Sequence, residues 1–261
     1  MKVAGARVVI TGAGSGIGHA AALRFAREQA EVVAVDIDEG SAQQTAEECC
    51  ALGVLSSARR CDVADADAVQ ALADELGEVD VLVNNAGVGL VGPFLDSTLE
   101  DWAWLRAINL DGVAHGCYAF GPGMVGRGRG QIINIASAAA YIPNRHMAAY
   151  CASKAAVVAL SQCLRADWRA HGVGVSVICP GVIATPIAAR TRYRGRMASR
   201  QSRAERALGL GHSPDLVAKA IVGCAKRNRD IVPVGLESTL AYKLLRGAPQ
   251  AIQGLVARAE L

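Results

Sequence analysis

Several features that would point to a particular class of protein are missing from this 261-residue sequence. It has no run of about 18 apolar residues, so we expect no transmembrane helix. The formal net charge of +3 is too small to indicate binding to nucleic acid. Only residues 1–6 precede the first strand-like run, which leaves no room for a signal peptide. These absences favour a cytoplasmic protein.

The eight cysteines and five histidines also lack the spacing of known site types. No Cys-x-x-Cys pair occurs, and the vicinal pair Cys49-Cys50 is poorly placed for a disulfide framework. The histidines are scattered without the spacing of metal ligands, so we expect no metal site. We expect the cysteines to be reduced and mostly buried.

Strand-like and helix-like segments alternate along the chain. Strand-like segments lie at 7–11, 31–35, 54–61, 79–84, 132–136 and 173–179, and helical patterns at 17–29, 41–52, 64–76, 98–120 and 148–170. This order predicts an α/β fold, a parallel and doubly wound sheet with right-handed crossovers. No repeat and no linker divides the chain, and 52% hydrophobic residues allow an ample core.

The first strand-like run leads into a glycine-rich turn. The turn reads Gly12-Ala13-Gly14-Ser15-Gly16-Ile17-Gly18, and a helical pattern follows it. A strand, a glycine turn and a helix present free backbone N–H groups and a positive helix end to phosphate. Glycine is needed where a Cβ would block the approach of a pyrophosphate. The alternative is a plain glycine-rich turn without a ligand.

A carboxylate lies at the end of the second strand-like run, about 20 residues beyond the glycines. There Asp36 can accept both ribose hydroxyls of an adenosine, and it would repel a 2′-phosphate. Neither Ser15 nor Ile37 supplies an arginine that would neutralise such a phosphate, and Asp38 adds negative charge. We therefore predict NAD rather than NADP as the cofactor. The alternative is that Asp36 and Asp38 cap the next helix.

The stretch from Ser137 to Lys154 carries the candidate chemistry. Tyr150 and Lys154 are four residues apart, so they share one face of a helix. A free phenol titrates at about 10, and a neighbouring ammonium favours the phenolate, which makes the phenol usable for proton transfer. Ser137 follows a strand-like run, at the sheet edge where α/β proteins bind ligands. Alone, Tyr-x-x-x-Lys also occurs by chance on surface helices.

These motifs belong to a larger set that occurs in one order. The set is Thr11-Gly12-x-x-x-Gly16-x-Gly18, Asp62, Asn84-Asn85-Ala86-Gly87, Asn109, Ser137, Tyr150-x-x-x-Lys154 and Pro180-Gly181. From about residue 5 to 235, the chain resembles the short-chain dehydrogenase/reductase family. The resemblance implies a Rossmann-type, seven-stranded parallel sheet in one catalytic domain, 1–235. A lid would lie at about 186–212, and a C-terminal helical extension would follow at 236–261.

The resemblance also implies which residues bind the cofactor. They are Gly12, Ser15, Gly16, Ile17, Gly18, Asp36, Ile37, Asp62, Val63, Asn85, Ala86, Gly87, Tyr150, Lys154, Pro180, Gly181, Ile183 and Thr185. Asp62 and Val63 would border the adenine, and residues 85–87 would form the floor of the site. Thr185 would bind the nicotinamide carboxamide, with Ile183 beside it.

The catalytic residues that the resemblance implies are Asn109, Ser137, Tyr150 and Lys154. In oxidation, the Tyr150 phenolate would take the alcohol proton while hydride leaves to NAD, and Ser137 would hold the same oxygen. Lys154 would stabilise the phenolate and bond the nicotinamide ribose. Asn109 would hold a water that links Lys154 to solvent. The alternative for Asn109 is a core amide that bonds the backbone.

We therefore predict an NAD-dependent oxidoreductase that interconverts a secondary alcohol and a ketone on a hydrophobic small molecule, steroid- or terpenoid-like. A 3-oxoacyl-thioester reductase is the nearer alternative, but NADPH preference would support it and Asp36 argues against that preference. A catalytically silent dinucleotide-binding sensor is the alternative from another class, and the intact catalytic residues count against it. By resemblance, subunits would pair into a homodimer or homotetramer through the helices at 98–120 and 148–170.

Two segments and one histidine have several open interpretations. The lid holds seven arginines against Glu205, and it is either solvated or a dock for an anionic substrate group. His146, between Ser137 and Tyr150, either faces the substrate or is a solvated loop residue. The extension reads as two short amphipathic helices divided at 247–249. It would pack on the pocket or a partner subunit, lie on a membrane surface, or be disordered.

Overall fold

The structure is a computed structural model, and it describes residues 1–245. The strands are β1 (Arg7–Thr11), β2 (Glu31–Asp36), β3 (Ser56–Arg60), β4 (Val81–Asn84), β5 (Gly89–Val91), β6 (Gly130–Ile135), β7 (Val173–Pro180), β8 (Thr191–Tyr193) and β9 (Ile231–Val234). The helices are α1 (Gly16–Arg27), α2 (Glu39–Ala51), α3 (Ala66–Leu76), α4 (Leu99–Arg106), α5 (Gly112–Arg127), α6 (Ala148–Trp168), α7 (Gln201–Gly209), α8 (Pro214–Arg227) and α9 (Leu236–Leu245). Seven strands form one parallel sheet in the order β3-β2-β1-β4-β6-β7-β9, which confirms the predicted fold class.

The central strands of this sheet, β1, β2, β4, β6 and β7, are buried on both faces. In β1, Val8, Val9 and Ile10 are fully buried, and all eight residues of β7 are buried. Helices α1, α2 and α8 pack on one face, and α3, α5 and α6 pack on the other. Continuous apolar strands are typical of parallel sheets that helices cover on both sides. The strand ends therefore remain as the accessible edge of the sheet.

The strand order reverses at β1. Strands β2 and β3 lie on one side of β1, and β4, β6, β7 and β9 lie on the other. The loops after β1 and β4 therefore diverge and open a crevice at the carboxyl ends of the strands, which is where such folds bind ligands. The glycine turn follows β1 and residues 85–87 follow β4, so the fold places both at this crevice.

The single helix predicted over 98–120 is wrong in one respect. The structure contains three consecutive segments there: α4, a π-helical segment at Ala107–Asp111, and α5. Thr98 and Asp101 form a capping box that begins α4. A π-helical segment holds an extra residue in one turn, so the helical period of the sequence did not reveal it. The segment contains Asn109 and sets the direction of that side chain.

Strands β5 and β8 form a second, two-stranded parallel sheet that the sequence analysis missed. Each strand has three residues, which is too short for alternation to be recognised. The pairing joins the lid to the loop after β4. Arg194 then donates two hydrogen bonds to the buried Asp101 carboxylate, at 2.7 and 2.6 Å, and Arg192 donates one at 3.1 Å. Neither of these two arginines is a freely solvated lid residue.

The C-terminal helix α9 packs on the same end of the molecule. Ser238 Oγ donates a hydrogen bond to the Cys179 carbonyl at 2.7 Å, and the Tyr141 hydroxyl donates to the Ser238 carbonyl at 3.1 Å. The first part of the predicted extension therefore packs against the sheet. The predicted division at 247–249 and the second helix lie outside the described residues. Within residues 1–245, no helix has both the length and the apolarity to cross a membrane.

Candidate active site

The glycine turn is locked to the loop that follows β4. Thr11 Oγ1 accepts hydrogen bonds from the backbone N–H groups of Asn85 (3.0 Å) and Ala86 (3.1 Å). The Asn85 side chain donates in return to the carbonyls of Thr11 (2.9 Å) and Gly12 (3.1 Å). Gly12 has a φ of 64°, and a Cβ there would lie 2.9 Å from Ala86 Cα. The predicted floor residues therefore contact the turn, and position 12 requires glycine.

Thr185 lies on the other side of the turn. A Cβ on Gly16, whose φ is 56°, would lie 3.1 Å from Thr185 Cγ2. Ser15 is the N-cap of α1, and its side chain makes no capping hydrogen bond. A Cβ on Gly18 would overlap the Gly12 carbonyl. The turn, the positive end of α1 and Thr185 therefore form a crowded, donor-rich arrangement suited to an anionic group.

The Asp36 carboxylate is buried at the end of β2 and directed toward the turn. Its oxygens accept hydrogen bonds from the backbone N–H groups of Gly14 (2.9 Å) and Asp38 (3.1 Å). The cap of α2 is Asp38, whose side chain accepts from the N–H groups of Gly40 and Ser41. The capping alternative therefore holds for Asp38 and not for Asp36. The structure keeps the Asp36 carboxylate in place beside the glycine turn.

An arginine reaches this carboxylate from a distant part of the chain. The Nη1 atom of Arg190, at the start of the lid, lies 4.0 Å from Asp36 Oδ1. Arg190 was not predicted from the sequence, because an arginine was sought only at positions 15 and 37, next to the glycine turn and Asp36. Ile37 is 53% exposed beside Asp36, as expected for a residue at the open end of a strand. Ile17 is partly buried against the core below the turn.

Asp62 and Val63 lie just after β3, the edge strand next to β2. The Asp62 carboxylate accepts a hydrogen bond from the Ala64 N–H at 2.9 Å. Val63 is buried, and its carbonyl oxygen lies 2.9 Å from His115 Nδ1. A Cβ on Gly112 would lie 2.8 Å from Val63 Cγ2, so the two elements approach closely. These residues are at the expected end of the sheet, and their contact with an adenine stays a prediction.

Ser137, Tyr150 and Lys154 come together at the end of β6. Tyr150 and Lys154 lie on α6, and the Ser137 side chain lies close enough to the Tyr150 hydroxyl to lower its pKa. Lys154 Nζ lies 5.8 Å from the centre of the Tyr150 ring and donates to the Ile135 carbonyl at 3.0 Å. Ser137 Oγ also accepts from the Ala139 N–H at 3.2 Å. The predicted proximity of the serine, the tyrosine and the lysine is present.

Burial controls the electrostatics of this group. Burial raises the pKa of Tyr150, and the nearby Ser137 side chain only partly opposes that rise. Burial also lowers the pKa of Lys154 to about 8. The expected net lowering of the Tyr150 pKa is therefore wrong for the protein alone, because burial raises this pKa by more than Ser137 lowers it. The lysine is still mostly protonated at neutral pH.

Asn109 is fully buried next to this group. Its Oδ1 accepts from the Val88 N–H at 2.9 Å, and its Nδ2 donates to the Val88 carbonyl at 2.9 Å. A Cβ on Gly87 would lie 3.3 Å from Asn109 Oδ1 and 3.5 Å from Lys154 Nζ, so the three residues converge. The side-chain amide matches the alternative of a core amide bonded to backbone. A water held at Asn109 stays a prediction, and the main chain of the π-helical segment would have to hold it.

The comparisons with known proteins agree with this geometry. The family model described as short chain dehydrogenase matches residues 6–194. The chain belongs to the short chain dehydrogenase family. Its site is therefore assembled on a family scaffold, and the resemblance noted on the sequence is confirmed.

Three relatives of this short chain dehydrogenase carry names that describe oxidoreductases. "Probable oxidoreductase EphD" of Mycobacterium tuberculosis is 45% identical over 94% of this chain, which spans only 44% of that protein's length. "D-threitol dehydrogenase" of Mycolicibacterium smegmatis is 42% identical over 71% of this chain and 73% of its own. "1-deoxy-11-beta-hydroxypentalenate dehydrogenase" of Streptomyces exfoliatus is 40% identical over 77% and 76%.

Solved structures of related dehydrogenases hold either dinucleotide. A short chain dehydrogenase/reductase from Burkholderia phymatum in complex with NAD has a TM-score of 0.88, with 33% identity and 94% coverage of both chains. A putative gluconate 5-dehydrogenase from Beutenbergia cavernae, with NADP at low occupancy, has a TM-score of 0.77. It is 32% identical and covers 88% of this chain and 95% of its own.

The loop of this dehydrogenase after β7 is held by two residues that the sequence analysis did not single out. The Val182 N–H donates to Glu237 Oε1 at 2.9 Å, and His212 Nε2 lies 2.9 Å from Glu237 Oε2. The Ala184 N–H donates to the His212 carbonyl at 2.9 Å. Burial raises the pKa of Glu237, but its hydrogen bonds from His212 and Val182 outweigh this and keep the pKa low. This anchoring fixes the backbone next to Thr185.

The same loop contains the other predicted residues of this region. Pro180 ends β7, the Gly181 N–H donates to the Val234 carbonyl at 2.8 Å, and Ile183 is buried. His146 lies in the loop before α6, and its carbonyl accepts from the Gly92 N–H at 2.8 Å. That contact ties this loop to the segment after β5. A contact between His146 and substrate stays a prediction.

Proposed function

We propose that this protein is an NAD-dependent oxidoreductase that interconverts a secondary alcohol and a ketone by hydride transfer. The observation that carries the proposal is the convergence of Ser137, Tyr150 and Lys154: Ser137 acts on the Tyr150 hydroxyl, and Lys154 Nζ lies 5.8 Å from the centre of the Tyr150 ring. The tyrosine lies one helical turn from buried Lys154, which itself lies against Gly87 at the ligand-binding crevice. A polar pair of hydroxyls beside a buried ammonium suits proton transfer to or from an oxygen.

The residues at the crevice fit a dinucleotide. The turn around Gly12 and Gly16 leaves no space for a Cβ, and its N–H groups would bind a pyrophosphate. The Asp36 carboxylate would accept ribose hydroxyls, and Thr185 would bind the carboxamide. When bound, the nicotinamide supplies the acceptor or donor of the hydride.

Tyr150 moves the proton in this proposal. In oxidation its phenolate oxygen takes the proton of the alcohol, and in reduction its hydroxyl returns a proton to the carbonyl oxygen. Ser137 donates a hydrogen bond to the same oxygen and holds it in position. Because burial raises the pKa of Tyr150, the protonated form needed for reduction dominates at neutral pH. We therefore expect oxidation to accelerate as pH rises above neutrality.

A hydrophobic secondary alcohol is the substrate class that we propose. Tyr150 packs against an apolar cluster that comprises Val88, Leu90, Trp102, Trp104, Leu105, Ile108 and Ala149. The relative named for a pentalenate compound supports this choice. A sugar alcohol is the second candidate, because another relative is named for D-threitol.

Replacement of Tyr150 by phenylalanine tests the mechanism. Tyr150→Phe should retain NADH binding, measured by fluorescence titration, and lose turnover of a panel of secondary alcohols that includes D-threitol. Tyr118→Phe is the matched control, since Tyr118 is 80% exposed on α5, and it should keep full activity. Alcohol oxidation by Tyr150→Phe at the parent rate would refute the assignment.

We also propose that the protein pairs with copies of itself as a homodimer or homotetramer, through α5 and α6. Membership of the short chain dehydrogenase family supports this proposal. Light scattering on the full chain should give two or four times the mass of one chain. A monomer at micromolar concentration would refute the pairing.

A further inference from the structure

The contact between Arg190 and Asp36 joins two ends of the ligand-binding crevice. Asp36 ends β2, and Arg190 ends the short 3₁₀ segment Pro186–Arg190 that follows β7. The two charged groups are 4.0 Å apart, with the carboxylate side chain 1% exposed and the arginine side chain 41% exposed. The partial exposure leaves donors of the guanidinium accessible to a ligand at the same place.

The path of the lid supports this placement independently. Thr185 and Pro186 both contact the position where Gly16 would carry a Cβ, so the segment enters over the glycine turn. Gly14, in the same turn, donates its N–H to Asp36 at 2.9 Å. A segment that begins beside Gly16 and ends beside Asp36 therefore lies across the turn. It brings a cation to the edge where the proposed function places the ribose.

Arg190 differs in its surroundings from the next two arginines of the lid. Arg192 and Arg194 are directed away from the glycine turn and bind the buried Asp101 carboxylate. Arg192 also stacks over the Trp104 ring, with 4.0 Å between the guanidinium carbon and the ring centre. These two side chains hold the lid against α4. Of these three arginines, Arg190 is the one whose guanidinium lies beside Asp36 and the glycine turn.

We propose that Arg190 is a cofactor-specificity residue that lets the ribose site accept the 2′-phosphate of NADP as well as the free hydroxyl of NAD. This rests on the proposed function. Asp36 alone would repel a phosphate, whereas a guanidinium beside it neutralises the carboxylate and offers two parallel donors to phosphate oxygens. An arginine near the ribose is the usual means of accommodating a 2′-phosphate. Here it comes from the lid and not from positions 15 or 37.

The Asp36 carboxylate keeps its role for NAD in this arrangement. Two backbone N–H groups hold it whether or not Arg190 is present. Removal of Arg190 should therefore weaken the binding of NADP much more than the binding of NAD. The protein should bind NAD more tightly than NADP. The ratio of the two affinities should be smaller than in a site that contained Asp36 without Arg190.

The test is fluorescence titration of the full chain with NADH and NADPH, at one fixed ionic strength. Arg190→Ala should weaken NADPH binding by about tenfold or more and change NADH binding by less than about threefold. Arg203→Ala is the matched control, because Arg203 is an exposed arginine on α7 in the same lid. The control should leave the ratio of the two affinities unchanged.

A second pair of variants removes the carboxylate. Asp36→Asn should strengthen NADPH binding when Arg190 is present, and by a larger factor in the Arg190→Ala background, where the guanidinium no longer offsets the carboxylate. This difference distinguishes a direct charge effect from an altered lid shape. Equal fold-changes in the two backgrounds would overturn the proposal, as would equal weakening of NADH and NADPH by Arg190→Ala.

The outcome for the parent protein separates this proposal from the proposed function. A parent that oxidises alcohols with NAD but shows no NADPH binding would overturn the role of Arg190 and leave the proposed function intact. A parent that binds both dinucleotides and turns over no alcohol would overturn the proposed function. The affinity ratios of the variants would still decide the role of Arg190.

Discussion

Replacement of Lys154 by methionine should make the protein more stable while it abolishes the proposed activity. The Lys154 side chain is 4% exposed, and Nζ has one hydrogen bond in the described structure, to the Ile135 carbonyl. Burial, which disfavours the ammonium, lowers the lysine pKa from 10.5 to about 8. A buried charge that a proposed active site requires is therefore held at a cost to stability.

The size of the effect follows from the pKa. The difference between 10.5 and about 8 corresponds to about 3 kcal/mol at about 1.4 kcal/mol for each pH unit. Methionine fills a similar volume without charge, but it leaves the Ile135 carbonyl without its donor, which costs about 1 kcal/mol. We therefore expect Lys154→Met to raise the free energy of unfolding by about 2 kcal/mol at pH 7.

The pH dependence of this gain has a definite sign. Below about pH 8 the lysine is protonated in both the folded and the unfolded state, so the parent bears the full cost. Between about 8 and 10.5 only the unfolded state keeps the proton, so the stability of the parent rises with pH. The advantage of Lys154→Met should therefore be complete at pH 7, shrink above about pH 8 and disappear before pH 10.5, because the cost of the unpaired Ile135 carbonyl remains.

Urea and thermal unfolding of the cofactor-free protein at pH 7 and pH 9.5 measure the effect. A gain of about 2 kcal/mol corresponds to a rise in Tm of about 4–8 °C for a domain of this size. Lys226→Met is the control, because Lys226 is an exposed partner of Glu28 and should show no gain. A Lys154→Met variant that is no more stable at pH 7, or equally favoured at pH 9.5, would refute the reasoning.

Three further predictions concern the lid, the loop after β7 and the glycine turn. Asp101→Ala should lower stability by about 2 kcal/mol, because two half-buried arginines lose their hydrogen bonds to a buried carboxylate, whereas Asp111→Ala at an exposed pair should cost below about 1 kcal/mol. Since hydrogen bonds from arginine hold the pKa of Asp101 well below its usual range, this difference should begin to shrink as pH falls below about 4 and should be lost completely only at the lowered pKa. Thermal unfolding that shows as large a difference at pH 3 as at pH 7 would contradict this. Glu237→Ala should raise the KM for NAD several-fold while Glu237→Gln restores it, and an unchanged KM in initial-rate assays would contradict the anchoring role. Gly18→Ala should abolish NADH binding in a fluorescence titration, while Gly126→Ala, where a Cβ meets open space, should not.

Local pattern was sufficient for much of the fold and part of the site. Strand-like segments marked six of the seven strands of the main sheet, and the signal was a continuous apolar run in the central strands because these are buried on both faces. The glycines at 12, 16 and 18 could be recognised because close backbone approach leaves only one residue type possible. Tyr150 and Lys154 could be paired because their spacing on α6 is local. The three-residue strands and the π-helical segment carried too few residues for any period to appear.

The contacts that set the chemistry came only from tertiary structure. Arg190 lies beside Asp36, and Glu237 holds Val182, although more than fifty residues separate the members of each pair. No local pattern encodes such contacts, since the crossovers of the sheet bring distant loops to one edge. The pKa of Tyr150 shows the same limit. The Tyr-x-x-x-Lys spacing predicted an ammonium that lowers this pKa, but burial in the folded protein raises it. The spacing along α6 was enough to place Tyr150 and Lys154 on one face of the helix. The pKa of a side chain depends instead on how much water the complete fold excludes.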